Sequence, residues 1–259
     1  MLMINTDKEL KLLQKRLIEQ SNAAYNKGIC LFTDFLNLYE QNVFLSLKSD
    51  LYPIRYFSFG GFEDAERKML CFCGDDSVYD IADIEFPISC LSITPVNKKF
   101  SDTLNHRDFL GAILGLGIDR CKVGDILVKD NEAFVFVHNQ ISNYLLEQLY
   151  QVKHTSVTSS LIELTNFEYK PALKEITGTV SSIRLDSIIA VALGKPRSSL
   201  KGLIEGGKVF VGGRQVLSGS HTLNENDIVS VRGFGRFIYC GSSHQTKKGR
   251  YSIKVQLFI

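Results

Sequence analysis

Apolar positions recur at helical spacing near the start of the chain. Leu10, Leu13 and Leu17 share one face over residues 7–27 while Lys8, Lys11, Lys15 and Arg16 lie elsewhere on it, which predicts an amphipathic helix. A second helix is predicted over 38–47. Beyond Pro53 the period shortens to two, and the alternation predicts strands over 55–59 and 68–73, flanking Gly60-Gly61, with a further strand over 84–93. Helical spacing returns over 105–116 and 141–149, with strands predicted at 125–128, 133–137 and 157–164.

Strand, helix, two strands, helix and strand in succession predict a compact α+β domain of ferredoxin or RRM-like type, ending near Tyr169-Lys170-Pro171 and followed by a short linker. Past it, Leu185, Ile188, Ile189, Ala192 and Leu193 form one apolar stripe closed by Gly194. A short helix over 197–205 turns Leu200, Leu203 and Ile204 inward and stops at Gly206-Gly207. Residues 209–211, the Gly212-Gly213 turn and residues 215–216 predict a hairpin, beside which residues 227–231 return as a strand. Residues 241–250 are polar enough to predict a loop, and Ile253, Val255 and Leu257 alternate with polar neighbours in a final strand. The expected organisation is α+β in three parts: an amino-terminal helical segment over 1–52, a central domain over 53–170, and a carboxy-terminal domain over 180–259.

Charge sharpens this division. The net +2 of 259 residues hides 12 Lys+Arg against 4 Asp+Glu over 180–259, or +8, and 18 against 24, or −6, over 1–179. A basic partner surface is therefore local. Arg184, Lys195, Arg197, Lys201, Lys208 and Arg214 lie on the two carboxy-terminal helices, their connection and the hairpin, opposed by Asp186 and Glu205.

Several chemistries are disfavoured. The six cysteines form no Cys-x-x-Cys pair, and Cys71-x-Cys73 has no second pair or nearby His, so neither zinc nor a disulfide framework is supported. His106-Arg107-Asp108 imitates a kinase catalytic loop, but Ile113 stands where the metal-binding Asn should be and no Asp-Phe-Gly follows. Gly115-Leu116-Gly117 follows a helix rather than a strand, which makes it a helix stop rather than a phosphate loop. Asp75, Asp76, Asp80, Asp83 and Glu85 lack EF-hand spacing and are expected in a solvated loop. Residues 1–7 lack the regions of a signal peptide, and the longest apolar run, 109–118, is too short to span a bilayer. A cytoplasmic location, no membrane partner, no cofactor, no metal and no small-molecule substrate are expected.

Arg184-Leu185-Asp186, Arg197-Ser198, Leu203-Ile204, Gly207 and Val209-x-Val211 resemble the S4 RNA-binding module, with Gly212 where that family usually has Asn. Further strings are similar to signatures of the YlmH family of bacterial S4 proteins. They are Thr33-Asp34-Phe35-Leu36, Gly60-Gly61-Phe62-Glu63-Asp64-Ala65-Glu66-Arg67-Lys68, the stretch from Asn105 to Ile118, Gly124-Asp125-Ile126, Arg232-Gly233-Phe234-Gly235-Arg236 and Thr246-Lys247-Lys248-Gly249-Arg250. Asn37-Leu38 replaces the family's Asp-Pro. The resemblance implies a non-catalytic, monomeric RNA-binding protein acting on the large ribosomal subunit and peptidyl-tRNA in ribosome-associated quality control of stalled nascent chains.

Structured RNA is read by shape and by phosphate and 2′-hydroxyl contacts, which a rigid cationic helix face suits. Arg184, Arg197 and Lys201 are the expected phosphate ligands, with Lys195 between the helices, Ser198 as a hydroxyl partner, and Lys208 and Arg214 at the hairpin. Arg232, Phe234 and Arg236 form a second candidate in which Phe234 either stacks on a base or packs in the core. Lys247, Lys248 and Arg250 are phosphate candidates in the polar loop. The alternatives are an S4-targeted rRNA-modifying enzyme and a protein-interaction scaffold. Arg184-Leu185-Asp186 echoes the catalytic string of pseudouridine synthases, but it follows Ile183 rather than Gly and lacks the Thr-Ser-Gly-Leu that should come after it. The chain after Arg236 is too short for a methyltransferase sheet.

Overall fold

The computed structural model describes residues 7–47, 51, 54–75, 78, 80–164, 167, 169, 171–245 and 249–258. It divides into two units, Met1–Tyr169 and Lys170–Ile259. None of its helices, among the described residues, is long and apolar enough to cross a membrane.

In the first unit the predicted leucine stripe is realised in α1 (Asp7–Lys27), whose Leu13, Leu17 and Ala24 are buried. The chain then forms β1 (Cys30–Phe32), α2 (Leu38–Leu47), β2 (Arg55–Phe59) and β3 (Met69–Cys73), and the strands pair antiparallel in the order β1-β3-β2. Every residue of β3 is buried, because Leu70 and Phe72 pack on the amino-terminal helices while Met69, Cys71 and Cys73 enter a second core on the other face. A strand covered on both faces loses the alternation that marks a half-exposed one.

That second core is shared with a five-stranded antiparallel sheet. Its elements are β4 (Ile88–Pro95), α3 (His106–Gly115), β5 (Val123–Lys129), β6 (Glu132–His138), α4 (Asn139–Gln148), β7 (Gln151–Val152) and β8 (Thr155–Ile162), and its strand order is β5-β6-β4-β8-β7. Without β7 this is the strand order of the ferredoxin-like fold that the succession of elements predicts. Leu91, Ile93, Ala133, Val135 and Val137 face α3 and α4. The strand expected over 84–93 starts later, at Ile88. Asp80 and Asp83 instead cap a short 3-10 turn, Ile81–Asp83, by bonding each other's backbone.

Arg67 ties the two sheets together. Its guanidinium, burial lowering its pKa, donates to the carbonyls of Val123 at 3.0 Å and Phe35 at 2.9 Å. Asp125 accepts from the backbone amides of Glu66 at 2.6 Å and Arg67 at 3.1 Å. Thr33 accepts from the Leu70 amide through its hydroxyl, and Lys122 reaches Asp34 at 2.7 Å. Gly61 sits at φ +104, with the Phe136 ring only 2.2 Å from where a Cβ would stand. Several strings that carry the family resemblance in this unit therefore hold the sheets together.

The second unit begins with β9 (Leu173–Val180), where the sequence suggests only a linker and then the start of a helix. It continues through α5 (Leu185–Leu193), α6 (Arg197–Glu205), β10 (Val209–Val211), β11 (Arg214–Gln215), β12 (Ile228–Val231), β13 (Gly235–Gln245) and β14 (Tyr251–Phe258). The strands form one sheet in the order β11-β10-β12-β13-β14-β9. Residues 241–245, expected in a loop, extend β13 and pair with β14 across register shifts. The helices lie on one face, their Leu185, Ile188, Ile189, Leu200 and Ile204 packing on Val209, Val229, Val231, Phe237, Ile253 and Val255.

Candidate RNA-binding surface

Burial of the apolar stripes of α5 and α6 leaves their polar residues outward, and the short connection brings the two helix starts together. Asp186, in the first turn of α5, accepts from the Arg197 guanidinium and lies 3.5 Å from Nε of Arg184. Burial works to raise this carboxyl, but the hydrogen bond and charge of Arg197, with Arg184 beside it, outweigh burial and hold it below the ordinary carboxylate range. Two exposed guanidinium groups are thus held on one carboxylate, an arrangement that fixes the planar donors Arg offers to phosphate. The amides of Leu185 and Asp186 bond the carbonyls of His221 and Gly219, so the loop over 219–221 caps α5.

Ser198 is exposed in the first turn of α6, where the helix dipole favours an anion. Lys201, exposed one turn on, pairs loosely with Glu205 at 3.7 Å. Lys208 and Arg214 are exposed at the two ends of the hairpin, whose central Gly212 and Gly213 both have positive φ as a two-residue primed turn requires. Lys195 lies over the Phe234 ring at 5.3 Å. Phe234 is 42% exposed at the tip of the β12–β13 turn, so core packing, the other expectation for this ring, is not what it does.

The remaining candidates lie apart from this face. Arg232 and Arg236 follow the inward Val231 and precede the inward Phe237, which puts them on the side of the sheet away from the helices; they stand over Phe210 at 4.8 Å and Phe258 at 4.1 Å. Arg250 donates to the Thr179 carbonyl at 2.7 Å and braces β14 against β9. Lys247 and Lys248 lie outside the described residues. Sequence reasoning missed Asp186 as the carboxylate joining two cations, and the rings of Phe210 and Phe258. The alternation of Phe210 with core-facing Val209 and Val211 was the available signal.

In the first unit, an RRM would stack bases on aromatic side chains of its two central strands. Here Phe134 and Phe136, on β6, are packed by Phe167, with ring centroids 5.3 and 5.0 Å away, and Phe62 lies 5.0 Å from Phe136. That face is used for assembly with the three-stranded sheet. Among the described residues no group of three His, Cys, Asp or Glu is placed to hold a metal. Burial pushes the Cys30 thiol up to about 11 and that of Cys90 up to about 12, which keeps both protonated.

Residues 82–166 match the family model described as "Putative RNA-binding domain in YlmH", and residues 183–229 match the S4 domain. A relative from Bacillus subtilis (strain 168), named "Ribosome-associated protein quality control protein P2", is 29% identical over 225 residues, covering 85% of this chain and 84% of the relative. A solved structure titled "Cell division protein ylmH from Streptococcus pneumoniae" aligns with 64% of this chain and 98% of its own at a TM-score of 0.49 and 22% identity. Both domains in this order, and a relative aligned along most of its length, support kinship of this chain with the YlmH family of S4-domain RNA-binding proteins.

Proposed function

We propose that this protein binds ribosomal RNA through the α5, α6 and hairpin face of its S4 domain. It acts, in this reading, on large ribosomal subunits that retain peptidyl-tRNA, in the quality control of stalled nascent chains. Its contribution is binding and positioning rather than a reaction of its own. The observation that carries the reading is the Arg184–Asp186–Arg197 cluster, surrounded by exposed Lys195, Lys201, Lys208 and Arg214. A packed scaffold presenting cations at fixed positions suits the regular phosphates of a folded RNA. The name of the B. subtilis relative supports the ribosomal setting.

Co-sedimentation with separated ribosomal subunits, including large subunits that retain peptidyl-tRNA, tests it directly. The wild-type chain should prefer the tRNA-loaded large subunit, and Arg184→Glu with Arg197→Glu should abolish that preference while leaving the protein folded. Binding only to naked precursor RNA would favour a modification role, and a ribonuclease-insensitive complex with a protein would favour a scaffold.

A further inference from the structure

An antiparallel sheet with helices on one face ordinarily turns polar residues to solvent on the other. The six-stranded sheet carries Ser230, Lys254 and Gln256 on that face, but it also places aromatic rings under guanidinium groups there. Phe210 is paired in register with Ser230, and Ser230 with Arg236, whose guanidinium lies over Phe258 on the next strand. Arg232 lies over Phe210 at the other end of this row. Four neighbouring strands thus present two Arg–Phe pairs across about 14 Å, given the usual strand spacing. Arg232 is exposed, and Arg236 and Phe258 are half-buried. At the end of the row the β12–β13 turn carries exposed Phe234 beside Lys195, and Gly233 and Gly235 have open space where a side chain would stand.

A guanidinium is planar, so one that lies on a phenyl ring offers its second face to another flat group, which an ammonium cannot do. The band is therefore cationic and flat at once. A duplex does not suit it, because the bases of an A-form stem are stacked inside and its major groove excludes side chains. Unpaired nucleotides suit both properties, with phosphates drawn by charge and bases stacked on guanidinium planes and on the exposed ring of Phe234. An acidic peptide would answer only the charge.

We propose that the sheet face bearing Arg232–Phe210 and Arg236–Phe258 is a second RNA-binding surface, selective for a short unpaired segment and reached around Phe234 from the helical face. The proposal rests on the helical face being an RNA-binding surface, but it is separately testable. The full chain would be titrated at fixed salt with an RNA stem-loop, the same stem-loop with a single-stranded oligouridine extension, and one with an abasic extension of equal phosphate number.

The oligouridine extension is expected to raise affinity at least about tenfold over the abasic one. Arg232→Lys with Arg236→Lys, which keeps charge and removes planarity, should erase that factor without changing stem-loop affinity, in a chain that circular dichroism shows to be folded at the temperature of the titration. Arg184→Glu with Arg197→Glu should do the reverse, weakening the stem-loop and keeping the factor. Equal gains from the two extensions, or a factor that survives in the lysine variant, would overturn the proposal. So would no gain at all, which would leave the face to a protein partner. If the stem-loop itself does not bind, the helical-face reading fails, and isolated oligouridine against its abasic counterpart still decides this one.

Discussion

Asp125, within one of the strings that carry the family resemblance, is used by the fold, accepting from the backbone amides of Glu66 and Arg67. Burial raises its carboxyl from 3.8 to about 6, against the pull of the Arg67 amide and the charges of Arg67 and Arg120. The folded chain therefore holds this proton to higher pH than the unfolded chain does. The contribution is most favourable below about pH 4 and is lost as pH rises towards 6. His106 and His138, whose pKa values burial lowers, contribute in the opposite direction, so the test is the difference between proteins. In equilibrium unfolding, the stability of Asp125→Asn relative to the wild type should shift in favour of the variant as pH rises across that window, and a difference that does not change with pH would remove Asp125 as a source. Asp186 has the opposite sign, since its lowered pKa gives stability that is lost on acidification below the ordinary carboxylate range. Gly61 makes a packing prediction beside these. A methyl there meets Phe136 at a backbone angle that L-residues avoid, so Gly61→Ala should cost about 2 kcal/mol or more and lower the unfolding midpoint by several degrees.

Elements marked by an apolar stripe or run were legible in the sequence, and those with few apolar residues were not. The leucine stripe of α1 and the two helices of the S4 domain follow directly from apolar spacing, as does Gly194 at the left-handed end of α5. By contrast β9, as Leu-Lys-Glu-Ile-Thr-Gly-Thr-Val, offers few apolar residues and a central glycine, so its place in the sheet comes from pairing with β14 over its whole length. Polar 241–245 extends β13 for the same reason. The cationic residues of the candidate surface could be picked out by charge, whereas the carboxylate that groups two of them and the rings under two others depend on pairing and register. The glycine in β9 is itself informative, because Val191 of α5 lies 2.6 Å from where its Cβ would be. Gly178→Ala should therefore destabilise the unit by about 1–3 kcal/mol, and Val191→Ala in the same chain should recover part of the loss. Strictly additive costs in denaturant titrations would mean that helix and strand do not meet there.

At the scale of the whole molecule, +8 and −6 on the two parts of the sequence almost cancel, so net charge says little about RNA binding and locality says much. Exposed charges more than about 10 Å away are largely screened at 0.1 M salt. Only cations that meet phosphate should govern the salt dependence. If about six phosphates are engaged, affinity for structured RNA should fall by roughly a thousandfold between 50 and 200 mM salt. Arg184→Glu with Arg197→Glu should make the log–log slope shallower by between about 1 and 2, since the two guanidinium groups already share Asp186. Lys15→Glu with Arg16→Glu changes net charge equally on exposed positions of α1 and should leave the slope as it is. Titrations of all three proteins across that salt range separate a local interface from a diffuse field. A slope that drops equally for both variants would extend the RNA contact to the amino-terminal helix and overturn the assignment of binding to the S4 domain alone.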